Sequence, residues 1–275
     1  MRCAGIGVAL LLALVVAVPA VSQQSDDGGV KVGRASFIRK LVSAEKLEQA
    51  AELQYGQLRN QADVKRQLLA ADDPASQRVD RITRELLPFV GKWNDRAKAW
   101  RWQVAVIKTK AINAFCMPGG KIAIFTGMLE GLSLTDDETA MVIGHEIAHA
   151  LREHARERAA KARLTQLGVV AVSMIIGGGA GELARQGGGL MTLKFSRDDE
   201  READLIGMEL AARAGYDPQA AVTLWQKMAQ AIRGAPPGWL STHPTSEDRI
   251  RRIQTAIQDV QPLYERARAA RQRAN

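Results

Sequence analysis

The chain has 275 residues, 46% of them hydrophobic and 25% charged, with 24 glycines and 9 prolines. That is the make-up of a globular protein, and it excludes a wholly disordered, collagen-like or disulfide-scaffold chain. Only 5% of residues are aromatic, and the richness in Ala, Leu, Glu and Arg predicts more helix than strand. The formal charge is +8, but the basic residues alternate with acids at helical spacing, as in Arg152, Glu153, Arg156, Glu157 and Arg158. This pattern marks solvated helix faces and argues against a nucleic-acid partner.

Residues 1–22 read as a secretory signal: Arg2 precedes an apolar run from Gly5 to Val18, then small residues. The run is shorter than the ~20 residues of a transmembrane helix. No Cys stands at the expected cleavage point, so no lipid anchor is expected, and the predicted location is exported and periplasmic. Cys3 leaves with the signal, and Cys116 alone cannot form an internal disulfide. Residues 23–35 read as a flexible leader and 36–275 as one domain, with N-terminal helices over 36–99 and the core and C-terminal helices over 100–275.

Phe37, Leu41, Leu47, Ala51 and Leu58 recur at helical spacing, and Asp73-Pro74 opens a second helix reaching about Val90. The period then changes. Trp100 to Ile107, Ile112 to Met117 and Lys121 to Phe125 have β character, and Pro118-Gly119-Gly120 supplies a reversal. The reading is a small antiparallel sheet in a mostly helical α+β fold. After Thr135, with acids at its positive end, an amphipathic helix is predicted to about Leu164. Residues 168–189, rich in Gly, fit either a loosely packed core helix with a disordered connection or a mobile lid that opens the cleft or touches a membrane. A helix from Ser196 to Gly215, another after Pro218 and two after Pro244 complete the prediction.

The chemistry concentrates at His145-Glu146-Ile147-Ala148-His149. Histidines four apart share a helical face and can both reach one Zn²⁺, while the intervening Glu can contact a water on the metal. His154 would lie about 140° round a continuous helix from His149 and point to solvent. A third protein ligand is required, and the acidic cluster from Asp198 to Asp204 offers two pairings: Glu200 as ligand with Asp204 supporting a ligand His, or Asp198 with Glu202. Spacing leaves both open.

These motifs, Ser196-Arg197 to Glu200-Arg201-Glu202-Ala203-Asp204, and Thr242-His243-Pro244 before Arg249-Ile250 together resemble the HtpX and CAAX prenyl protease type of zinc metallopeptidases, a gluzincin family, and especially its exported branch with BepA and LoiP. The resemblance implies a zincin-type fold, one Zn²⁺ held by His145, His149 and Glu200, Asp204 as supporting acid and Glu146 as catalytic base. It also places His243 near the metal, as a catalytic donor to the oxyanion or as a fourth ligand in the resting site. Asn113-Ala114-Phe115 resembles the substrate-binding edge strand of thermolysin-like enzymes. The implied role is proteolytic quality control of unfolded or misassembled envelope proteins. The chain departs from the family in lacking a multispan membrane core and a helical-repeat tail. A different class of function, a metal-stabilised chaperone-like module that binds without cutting, shares these motifs.

Overall fold

The computed structural model describes residues 28–176, 194–231, 238–244 and 248–274. The predicted signal and most of the glycine-rich segment lie outside the described residues. From Gly28 onward the segment expected to be a flexible leader is tied down. The Val30 N–H donates to Glu209 Oε2 at 2.8 Å, Lys92 and Arg213 donate to the Gly28 carbonyl, and Val30 is buried. Glu209 is itself fully buried and paired with Lys92 and Arg213, so the leader satisfies part of a buried charge network.

The predicted first helix divides into a 3₁₀ turn, Phe37–Leu41, and α1, Ala44–Val64, capped by the Ser43 side chain. Helix α2, Pro74–Leu86, is capped by Asp73, with Pro74 in the first turn where a missing N–H costs nothing. Three strands follow: β1, Gln103–Ile107, β2, Ala114–Met117, and β3, Lys121–Phe125. Their order is β1-β3-β2. The Pro118-Gly119-Gly120 hairpin makes β2 and β3 antiparallel as predicted, with Gly119 and Gly120 both at positive φ. The sheet is nonetheless mixed, because β1 pairs with β3 in parallel. Residues 108–113 cross the end of β3 instead of turning directly back. Thr126 Oγ1 anchors that crossing by bonding the Thr109 N–H and carbonyl.

A short helix α3, Thr126–Leu129, leads to α4, Asp136–Leu151. A reciprocal cap starts α4: Glu138 N–H donates to Thr135 Oγ1, and the Glu138 carboxylate accepts from the Thr135 N–H. Every residue of α4 from Glu138 to Leu151 is buried, so this helix is the centre of the molecule. The predicted single helix to Leu164 breaks after Leu151, and α5, His154–Ile176, begins afresh. Glu153 takes the left-handed conformation at φ 57°, a position usually left to Gly. Its carboxylate is held by Arg39 and Arg156.

Helix α6, Arg197–Arg213, lies against α4 and is capped by Ser196 and Asp199 in the same reciprocal way. Helices α7, Ala220–Ala231, and α8, Gly238–Thr242, lead to one long α9, Arg249–Ala274. Two terminal helices were expected. Pro262 lies inside α9, yet Val260 and Leu263 on either side of it are buried, so packing holds the helix together where a hydrogen bond is lost. Among the described residues no helix is long and apolar enough to cross a membrane.

Candidate metal centre and substrate cleft

The second half of α4 presents His145, Glu146 and His149, all at most 4% exposed. Opposite them α6 presents Glu200 and Asp204. The helices approach closely because Gly144 and Gly207 face one another. A Cβ on Gly144 would stand 2.6 Å from the Gly207 carbonyl oxygen, and one on Gly207 2.5 Å from the His145 nitrogen.

His145 Nε2 and His149 Nε2 are 3.1 Å apart. Glu200 lies 3.7 Å from the first through Oε2 and 3.4 Å from the second through Oε1. Donors bound tetrahedrally to one ion at ~2.0–2.1 Å stand roughly 3.3–3.4 Å from each other. The three side chains therefore fit a single small metal ion. His243 Nδ1 joins them, 3.3 Å from His145 Nε2 and 2.9 Å from Glu200 Oε1. The four residues form a buried group whose candidate ligand atoms all lie within 4.8 Å of one another. Of the two carboxylate pairings left open by spacing, this geometry brings together Glu200 and Asp204. Asp198 instead pairs with Arg201 at the surface.

Electrostatics suit a cation. Burial opposes charge on Glu200, but hydrogen bonds with His149 and His243 and the charges of His145 and His149 hold its carboxyl far below the ordinary range. Burial drives His149 well below its ordinary value, which keeps a nitrogen lone pair available. For His145 burial is outweighed by Asp204, whose Oδ1 lies 3.1 Å from Nδ1, and by Glu200, and the net shift is upward. Arg249, which packs its guanidinium over Trp225 at 3.3 Å, donates to Glu200 Oε2 at 2.9 Å and to Asp204 Oδ1 at 2.6 Å. It fixes both carboxylates. Arg249 figured in the sequence only as part of a motif, since nothing in its spacing says where a residue on the last helix will dock.

Glu146 faces the same space, and the Trp239 indole N–H donates to its Oε1 at 2.6 Å. Trp239 is fully buried and stacks on both His243 and Trp225. Helix α8, which carries Trp239, is tied to the crossing before β2 by the Trp239 backbone N–H to the Ile112 carbonyl, and Phe195 N–H donates to the Thr242 carbonyl. A cleft opens beside the metal group, lined by Asn113, Ala114, Phe115, Glu146, His149 and His243 among others. Strand β2 is an edge of the sheet, so the three residues read as substrate-binding border the cleft. Cys116 also lines it, half-buried. Burial, and then the Glu146 charge, push its thiol well above the ordinary value, which disfavours the thiolate.

His154 is not at the surface. The break at Arg152–Glu153 invalidates the continuous-helix angle, and the ring turns inward, 2% exposed, with Nδ1 2.9 Å from His149 Nδ1. Glu202 stays outside the metal group, as its angular offset from Glu200 implies, and instead contacts His154 and Arg152.

A mostly helical fold with paired histidines four apart on a buried helix, a carboxylate donor from a second helix and a short sheet bordering the cleft is zincin-like, the architecture of a metal-dependent peptidase. Comparison with known sequences agrees. The model of peptidase family M48 matches residues 75–257, and the chain belongs to that family. It is 33% identical over 198 residues to mitochondrial metalloendopeptidase OMA1 of Schizosaccharomyces pombe, an alignment covering 70% of this chain and 56% of the relative. The human OMA1 protein is 35% identical over 57% of this chain and 32% of its own length. The beta-barrel assembly-enhancing protease of Yersinia pestis is 30% identical over 57% of this chain and 35% of its own length. The chain thus spans from a third to just over half of these relatives. The bacterial assembly-enhancing branch was anticipated from the motifs, and the likeness to the mitochondrial enzymes was not.

Proposed function

We propose that the protein is a zinc-dependent metalloendopeptidase of the bacterial cell envelope that degrades unfolded or misassembled proteins. The observation that carries this reading is the set of tetrahedral-edge distances among His145, His149 and Glu200 with Glu146 beside them at the floor of a cleft bounded by an edge strand. When bound, the metal supplies Lewis acidity to the scissile carbonyl and makes water a nucleophile at neutral pH. Glu146 would act as the base, taking a proton from the attacking water and returning it to the leaving nitrogen. The outer edge of β2 takes the substrate as an added strand, main chain to main chain, with Asn113, Ala114 and Phe115 along it. Such recognition reads backbone before side chains and suits an unfolded substrate.

The signal-like segment at residues 1–22 and the likeness to bacterial assembly-enhancing proteases support a periplasmic site of action. Nucleic acid is not among the proposed partners, and peripheral contact with a membrane belongs to the reading of residues 168–189. The test is metal content together with cleavage of an unfolded protein for wild type and Glu146→Gln. About one zinc per chain is expected in both, with cleavage only in wild type. Full cleavage by Glu146→Gln overturns the assignment of the base, and metal-binding without cleavage in wild type supports a binding module instead.

A further inference from the structure

We propose that His154 and Glu202 form a positioning pair that fixes the tautomer and ring orientation of the metal ligand His149, an inference that rests on the metal-site reading above. Both ring nitrogens of His149 are engaged. Nε2 faces His145 and Glu200, and Nδ1 lies 2.9 Å from His154 Nδ1. A contact between two imidazole nitrogens requires one to donate and the other to accept. With Nε2 presented to the metal, the His149 proton sits on Nδ1 and is donated, so His154 Nδ1 accepts. The His154 proton is then confined to Nε2, and there Glu202 Oε2 waits at 3.3 Å, with Asp199 Oδ1 at 3.7 Å. Every proton in the row points away from the metal.

The row continues outward. Arg152 Nε donates to the same Glu202 oxygen at 2.6 Å, and its Nη2 donates to the Gly33 carbonyl at 2.7 Å. Glu202 is thereby held against His154 by a cation that is itself anchored to the N-terminal segment. The two histidine ligands are thus supported differently. His145 leans on a carboxylate, Asp204, whereas His149 leans on a neutral ring that is backed by a carboxylate. Phe195 stacks on His149 at 3.7 Å and 28° between planes, which fixes the plane of the ring but cannot choose its tautomer. The row through His154 does that.

Loss of such a supporting hydrogen bond typically weakens metal affinity by ~10–100-fold. The experiment measures zinc affinity of the full mature chain by competition with a chromophoric chelator, and the visible spectrum of the cobalt-substituted protein, for wild type, His154→Leu, His154→Asn and Glu202→Gln. His154→Leu should lose affinity by roughly 10–100-fold and shift the cobalt bands. His154→Asn, whose amide oxygen falls near the lost Nδ1, should recover most of the affinity, and Glu202→Gln should lie between. Nitrogen NMR of the zinc-loaded protein reads the tautomers directly, and with four histidines in the chain the spectrum is tractable. The expected result is a proton on His149 Nδ1 and on His154 Nε2. Zinc-binding by His154→Leu with wild-type affinity and cobalt spectrum overturns the proposal, as does a His154 proton on Nδ1. If His154→Leu does not fold, Glu202→Gln and the wild-type NMR decide. Wild type that binds no zinc removes the metal-site reading itself, a failure distinct from unaffected variants of a zinc-binding protein.

Discussion

Gly144 and Gly207 meet backbone to backbone where α4 crosses α6, and the metal group is assembled immediately beside this crossing. His145 follows Gly144 directly, while Glu200 and Asp204 lie within two turns of Gly207. A methyl group at either position would stand closer than 3 Å to opposing backbone, which no side-chain rotation relieves. Gly207→Ala and Gly144→Ala should each cost about 1–3 kcal/mol, which for a chain of this size is a fall in Tm of roughly 2–4 °C per kcal/mol. Zinc affinity should fall too, because the donors move apart. Calorimetry and chelator competition check this, and an unchanged Tm with unchanged affinity would show that the crossing is not what sets the site.

Trp239 should matter to turnover more than to metal-binding. Its indole holds one oxygen of Glu146 and leaves the other for the reaction. Trp239→Phe keeps the stacking on Trp225 and His243 but removes the donor. As part of the ~10²–10⁴-fold that general base catalysis contributes, about 10-fold should be lost from kcat, with KM and zinc content steady. A loss confined to KM would place Trp239 in substrate binding instead.

Acid sensitivity should be traceable to Glu138. Burial works against its charge, but Lys227, the Thr135 N–H and the Thr223 hydroxyl outweigh this and hold its pKa below the unfolded value of 4.5. A carboxyl depressed on folding contributes stability that is fully present above 4.5 and is lost as pH falls through the folded pKa. Asp136, hydrogen-bonded to Arg78 and Arg81 against the cost of burial, acts in the same direction. Urea unfolding of wild type and Glu138→Gln should therefore differ at pH 7 and converge below pH 4.5. A gap that stays constant with pH would mean that the Glu138 charge is not its source.

The metal motif, the acidic helix and the hairpin were all legible in the sequence because each is local. Histidine spacing, reciprocal caps and the Pro-Gly-Gly reversal act over four residues or fewer. What stayed hidden depends on chain path. The parallel pairing of β1 with β3 requires residues 108–113 to cross the end of β3, and no short pattern encodes a crossing. His154 lies inward because Glu153, a non-glycine residue, adopts a left-handed conformation, with its carboxylate held by the distant Arg39 as well as by its neighbour Arg156. Arg249 reaches Glu200 from a helix that begins 49 residues later in the chain.

His243 is the residue for which position decides between two chemistries. As a donor to the oxyanion it would stand off from the ligands, and its loss would lower turnover by ~10²–10³-fold. Its Nδ1 is instead 2.9 Å from Glu200 and 3.3 Å from His145, as close to the expected ligands as these are to one another. The ring is also clamped there by stacking on Trp239 at 4.6 Å and by the Phe195 to Thr242 hydrogen bond at its base. This favours the fourth-ligand role in the resting protein, in which His243 stands where substrate and water must enter. His243→Ala should then weaken zinc affinity and raise turnover on an unfolded substrate, because a vertex is vacated while Glu146 and the three remaining donors are untouched. Steady-state cleavage paired with a zinc competition assay separates the cases. A fall in turnover at unchanged affinity restores the donor role, and no change in either quantity removes His243 from the chemistry.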